Sequence, residues 1–202
     1  MEQKCEEHYF SRNPKSRLIK TQVSFSFRQH TFSFLCASGV FSAKEIDFAT
    51  ALLLEHAQIQ NGSNVLDLGC GIGIIGIAIK KVFPQCHVIL SDVNKRACNI
   101  SKKNAEKNEV LVEIADSDCY QAFSEKEFDT ILTNPPHHAG RKVVYRIIEE
   151  APLYLKSGGL LQLVAKHNKG GKMLQKKMEE VFGNAEIIGR KAGFCVYISK
   201  KK

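Results

Sequence analysis

Two segments of the chain hold residue types that can do chemistry together. Val65-Leu66-Asp67-Leu68-Gly69-Cys70-Gly71-Ile72-Gly73-Ile74-Ile75-Gly76 reads as a strand, a tight glycine turn and a helix start. Glycines at such a turn accept left-handed backbone and let main chain approach a ligand closely. Within it, Gly71-x-Gly73-x-x-Gly76 fits the dinucleotide fingerprint, and Asp92 follows Gly71 by twenty-one residues, where a ribose-binding acid belongs. Taken alone, this points to a nicotinamide cofactor. Cys70 sits inside the turn, where small size and tolerance of burial account for it better than a nucleophilic role.

The same segment also reads Asp67-x-Gly69-x-Gly71-x-Gly73, with an acid at the strand end and a further glycine ahead of the fingerprint. An acid aimed at a helix N-terminus repels a pyrophosphate. S-adenosylmethionine carries no phosphate but a sulfonium, an ammonium and a carboxylate, so an acid near the turn favours it.

The second segment, Asn134-Pro135-Pro136-His137, follows the apolar run Thr130–Thr133. The two prolines end the strand and fix the backbone. An exocyclic amine is a poor nucleophile because its lone pair is delocalised into its ring, so attack on a sulfonium methyl requires it to pyramidalise. Acceptors aimed at its hydrogens favour that change, and the Asn134 side-chain oxygen and the Pro135 carbonyl suit the task. His137 offers a ring for stacking, and proton transfer by His137 or His138 ranks below that role.

These residues need a frame. Val23, Phe25 and Phe27, then Phe32 and Phe34, alternate with polar residues, as in a half-buried hairpin. Ser42-Ala43-Lys44-Glu45 fits a capping box, and Ile46, Ala49, Leu52, Leu53 and Ala57 continue at helical spacing to about His56. Strands are expected near Asn64–Leu68, His87–Ser91, Val110–Ile114, Thr130–Thr133 and Leu160–Ala165. Helices are expected near Ile74–Val82, Lys95–Lys107, Arg141–Leu155 and Lys172–Val181, and two short runs, Ala185–Ile188 and Phe194–Ile198, close the chain. This alternation predicts an α/β fold, an open, doubly wound, mostly parallel sheet with its ligands outside the carboxyl ends of the strands.

The 202 residues suit one domain, with residues 1–41 as an extension and hairpin and 42–202 as the core. Hydrophobic residues at 44% and charged ones at 25% exclude disordered and fibrous classes. No apolar run is long enough to cross a membrane, and the first residues lack a signal peptide's apolar stretch, so a cytoplasmic location is expected. The seven cysteines (Cys5, Cys36, Cys70, Cys86, Cys98, Cys119 and Cys195) form no C-x-x-C pair, which argues against a disulfide framework or a structural metal. The net charge of +8, with basic residues gathered at 166–177 and 200–202, fits a polyanionic partner and an ordinary solvated surface about equally.

The glycine turn resembles motif I of the class I S-adenosylmethionine-dependent methyltransferases, and Asn-Pro-Pro followed by an aromatic residue resembles motif IV of those acting on exocyclic nitrogens. Gly39-Val40-Phe41-Ser42, Asp47-Phe48-Ala49-Thr50 and Asn134-Pro135-Pro136-His137-His138-Ala139-Gly140 are similar to the small-methyltransferase domain of bacterial ribosomal RNA guanine-N2 methyltransferases. His8-Tyr9-Phe10-Ser11, with Pro14 nearby, is similar to stand-alone archaeal members. His137 replaces the family's aromatic residue, and Ala49 its glycine before Thr50. Bacterial members carry a further N-terminal domain, so RNA docking is expected to differ here.

The resemblance implies a Rossmann-like core preceded by a hairpin and a helix. It implies that Asp67, Gly69, Gly71 and Gly73 hold the methionine end of the cofactor, that Asp92 binds both ribose hydroxyls, and that Asn134 also lies against the cofactor. Either Asp116 or Asp118 would bind the adenine amine, with Asp118, sixteen residues before Asn134, closer to the family spacing. Asn134, Pro135, Pro136 and His137 would form the catalytic segment. The implied reaction is methylation of guanine N2 in RNA, free or in a ribosomal particle, with small-subunit ribosomal RNA the first expectation. A tRNA base, a protein glutamine and a non-catalytic RNA-binding role are the alternatives, and either a monomer or a homodimer fits.

Overall fold

The computed structural model describes residues 20–37, 40, 46–124, 127–135 and 140–202. Alternation builds the first element, in which β1 (Lys20–Phe27) and β2 (His30–Ala37) pair antiparallel with Phe25 opposite Phe32 and Val23 opposite Phe34. Phe32, Phe34 and Cys36 are buried in the main core. The expected capping box at 42–45 lies outside the described residues. Helix α1 (Phe48–His56) begins at Phe48, and Asp47 in its N-cap position makes no side-chain cap bond.

Strands and helices then alternate: β3 (Asn64–Leu68), α2 (Ile74–Val82), β4 (His87–Asp92), α3 (Lys95–Lys107), β5 (Glu113–Asp116), β6 (Phe128–Thr133), α4 (Arg141–Tyr154) and β7 (Leu155–Lys166). A π-helical turn at His167–Gly171, α5 (Lys172–Phe182), β8 (Glu186–Lys191) and β9 (Phe194–Lys200) follow. The seven-stranded sheet has the order β5-β4-β3-β6-β7-β9-β8, parallel throughout except for β9, which is antiparallel to both its neighbours. The first core cluster joins the hairpin with α1, α2 and α3, and the second joins α4 and α5.

The expected helices at 74–82 and 95–107 keep those limits. Asn94 caps α3 by accepting the Arg96 and Ala97 N–H groups. One strand lies later than expected: β5 occupies 113–116 rather than 110–114. Val110 donates its N–H to Ala105 at the end of α3, and Leu111 stands 87% exposed, so this apolar run closes a helix instead of entering the sheet. Strand β7 begins at Leu155, and the expected 160–165 is its most deeply buried stretch.

Asn104 of α3 and Asn108, which caps its C-terminus, hold the hairpin. Asn108 accepts the Ser33 N–H (3.0 Å) and donates to the Ser33 carbonyl (3.0 Å). Asn104 accepts the Leu35 N–H (2.7 Å) and donates to the carbonyls of Leu35 (3.0 Å) and of Ile72 (2.9 Å). Asn104→Ala leaves these buried groups without their partner, at a cost of about 2–4 kcal/mol. Urea unfolding should show a lower midpoint with an unchanged slope, and an unchanged midpoint would mean that the amide adds nothing.

Candidate active site

The carboxyl ends of β3, β4 and β6 form one edge, to which each brings an expected site residue. Asp67 is buried, and its Oδ2 accepts the Gly76 N–H (2.8 Å) at the start of α2. Asp92 accepts the Gly71 N–H on Oδ2 (2.9 Å) and the Asn94 N–H on Oδ1 (2.8 Å). The two acids therefore brace the glycine turn from below and beside it, and the N–H groups of Gly69 and Cys70 both donate to the Ser91 carbonyl. Burial, with Asp92 nearby, pushes Asp67 up to about 7 despite the Gly76 bond. Burial raises Asp92 as well.

The glycines divide into two sets. A Cβ on Gly73 would meet Leu90 at 2.8 Å and one on Gly76 would meet it at 2.7 Å, so both serve helix–strand packing. A Cβ on Gly69, at φ +75°, would meet nothing within 4 Å, so that position faces open space. Among the described residues, four buried side-chain atoms lack a partner, and Asp67 Oδ1, Ser91 Oγ and Thr133 Oγ1 all lie at these strand ends. The register puts Ser91 and Thr133 on the sheet face opposite Asp67, so of the three it is the Asp67 oxygen that lies on the side of Gly76 and α2, where an unsatisfied buried atom marks a place for a ligand or water.

Asn134 directly follows β6. Its Nδ2 donates to Asp47 Oδ2 (2.8 Å) and Thr50 Oγ1 (2.9 Å). A carboxylate can only accept, so Asp47 fixes which end of the amide is nitrogen and leaves Oδ1 as the acceptor. The same bond explains the missing cap at α1, because the Asp47 carboxylate is turned toward Asn134. Asp47 and Thr50 escaped sequence reasoning as site residues. They lie 87 and 84 residues from Asn134, and the family-like segment Asp47-Phe48-Ala49-Thr50 was the one signal that could have pointed to them.

Asn134 lines one cavity with Thr50, Gly69, Cys70, Gly71, Ile72 and neighbours. Pro135 lines a second, of about 180 Å³, with Arg141, Tyr145, Lys169 and Met173 among its walls. The Asn134–Pro135 pair thus stands between a glycine-lined cavity and a cationic, aromatic cleft. Pro136 and His137 lie outside the described residues, as does His138.

The two candidate adenine ligands part company. Asp116 pairs in register with Asp92 and lies 3.9 Å from Lys95 Nζ. Asp118 is exposed and held by the Arg146 guanidinium of α4. Cys70 is buried in the turn, and burial raises its thiol well above the usual range. No group of three or more metal-ligating side chains occurs among the described residues, and no helix there is long and apolar enough to cross a membrane.

The chain is similar to known proteins in sequence and fold. The protein YbxB of Bacillus subtilis (strain 168), described as uncharacterized, is 38% identical over 200 residues, covering 96% of this chain and 98% of its own. The ribosomal RNA small subunit methyltransferase C of Hamiltonella defensa subsp. Acyrthosiphon pisum (strain 5AT) is 37% identical over 163 residues, 79% of this chain and 47% of that protein. The T. thermophilus 16S rRNA N2 G1207 methyltransferase, solved with AdoMet and guanosine, superposes with a TM-score of 0.81 at 27% identity, covering 94% of this chain and 52% of its own. The chain therefore spans about half the length of the ribosomal RNA methyltransferases it matches. The methyltransferase small domain model matches residues 31–198, and the chain belongs to the methyltransferase small domain family.

Proposed function

We propose that the protein transfers a methyl group from S-adenosylmethionine to the exocyclic N2 amine of a guanine in small-subunit ribosomal RNA. The observation that carries this reading is the position of Asn134 and Pro135 between two cavities, with the Asn134 amide nitrogen occupied by Asp47 and Thr50. The guanosine and AdoMet of the T. thermophilus enzyme support the assignment of one cavity to each.

The residues fit the cofactor. Asp67 keeps an unpartnered buried oxygen for a cationic ligand, and Gly69 leaves room for it. Asp67, Gly69 and Gly71 hold its methionine end, on a turn that Gly73 lets pack closely against Leu90, while Asp92 holds its ribose, and Asp118 its adenine once released from Arg146. When bound, S-adenosylmethionine supplies an electrophilic methyl on a sulfonium. Asn134 Oδ1 and the Pro135 carbonyl accept the two hydrogens of the target amine, which draws its lone pair out of the ring and toward that methyl. Pro135 and Pro136 keep both acceptors in place, and His137 stacks on the base. The base must leave its own stack to enter, at a cost of a few kcal/mol. In this reading residues 1–202 act as one methyltransferase domain, with 1–41 as the extension and hairpin and 42–202 as the catalytic core.

Incubation with methyl-labelled S-adenosylmethionine and ribosomal RNA from cells lacking this gene is expected to place label in N2-methylguanosine. Label in a tRNA nucleoside or a protein glutamine would redirect the substrate assignment. Label in neither RNA nor protein, from free RNA or from ribosomal particles, would leave a non-catalytic RNA-binding role.

A further inference from the structure

A cluster of cations gathers at the site edge. Lys166, Lys169, Lys172, Arg190 and Lys191 have no carboxylate partner among the described residues. All five lie at or just beyond the carboxyl ends of β7 and β8. Like charges gathered without counterions repel one another, and an anionic ligand relieves that repulsion.

Aromatic rings lie among these charges. Because β9 runs antiparallel, its first residue, Phe194, reaches this edge, where it registers with Lys166 of β7 on one side and Lys191 of β8 on the other. Lys166 Nζ stands 5.5 Å from the Phe194 ring centroid, and Lys191 Nζ 6.0 Å from that of Phe48. The two rings pack at 5.8 Å between centroids, and Phe48 remains 40% exposed. Phe48 directly follows Asp47, the residue bonded to Asn134, so the patch continues the candidate active site.

We propose that Phe48 and Phe194, flanked by Lys166 and Lys191, form a docking platform for the single-stranded RNA that adjoins the target nucleotide. One flanking base stacks on Phe48, and the neighbouring phosphates lie against the two lysines. Aromatic faces accept any base, and paired cations follow a backbone, which is the pattern of sequence-tolerant single-strand binding. A duplex offers no free base face here. An acidic protein segment would meet the charges but has no need of the rings. The proposal rests on RNA being the substrate.

The test uses the full chain and a fluorescein-labelled, mixed-sequence, single-stranded RNA of about 12 nucleotides, followed by anisotropy. Phe48→Leu, which keeps apolar volume without a ring, is expected to weaken binding about tenfold, whereas Phe48→Trp binds at least as tightly as the wild type. The double variant Lys166→Gln, Lys191→Gln should lower the slope of log Kd against log salt by about 1.4. Affinity for S-adenosylmethionine serves as the control and should not change. Equal binding by the leucine and tryptophan variants, or an unchanged salt slope, overturns the platform while leaving the RNA reading intact if the wild type methylates RNA. A wild type that binds S-adenosylmethionine but no RNA overturns both.

Discussion

Alanine at position 134 is expected to lower kcat for methyl transfer by about 10²–10³-fold, the usual loss when one preorganised polar group is removed from a reacting centre. The affinity for S-adenosylmethionine should hold, because the glycine turn is braced by Asp67 and Asp92 and not by Asn134. Asp47→Ala should fall between wild type and Asn134→Ala, since it leaves the amide in place but removes one of the two acceptors that orient it. Single-turnover rates and calorimetric Kd values on the three proteins decide the matter. Full activity in Asn134→Ala would remove Asn134 from the reaction, and a matched loss of rate and cofactor affinity would make it a structural residue of the turn.

The second large effect is electrostatic and depends on pH. Asp67 sits at about 7 in the folded protein against 3.8 as its ordinary value, with burial as the main cause. A carboxyl whose folded pKa is raised gives full stability below its unfolded pKa, and that stability is lost as pH rises toward the folded value. For Asp67 the window runs from about 4 to about 7, and the loss is roughly 4 kcal/mol. Asp67→Asn should remove this part of the pH dependence of unfolding. Cofactor binding runs the other way, because a sulfonium and an ammonium favour the ionised carboxylate. S-adenosylmethionine should bind about tenfold more tightly at pH 8 than at pH 6, following the ionised fraction of the group, with protons released on binding. A wild-type Kd that is flat across this range would separate Asp67 from the cofactor charge.

The chain wrote much of its frame in local signals. Gly73 and Asn94 mark helix starts that sterics and capping dictate, so α2 and α3 lie at the expected limits. Where apolar character alone was the guide, it misled: Val110, Leu111 and Val112 resemble a strand, yet Val110 closes the preceding helix and Leu111 faces solvent. Asp67, Gly69, Asp92 and Asn134, singled out by their residue types and spacing, are brought to one edge of the sheet. The site was hidden where a residue works through a distant partner. Asp47 carries no local sign of its bond to Asn134, and Phe194 reads as one residue of a closing strand, although the reversed direction of β9 carries it to the carboxyl edge of the sheet. Asp118 shows the opposite case, with a suitable spacing but a side chain engaged by Arg146.

The asparagines at the end of α3 and in its C-cap work by a match of lengths. Four residues of helix advance about 6 Å, nearly the 6.6 Å that separates alternate residues of a strand, so side chains at 104 and 108 meet main chain at 35 and 33 in step. A helix thereby does the work of a neighbouring strand, and it does so at one setting only, since sliding the hairpin by a single residue would turn Phe32 and Phe34 outward. Because Asn104 divides its two hydrogens between Leu35 and Ile72, that setting is shared with the glycine turn. The hairpin and the turn cannot loosen independently, and the segment outside the main sheet becomes part of what keeps the cofactor turn in shape.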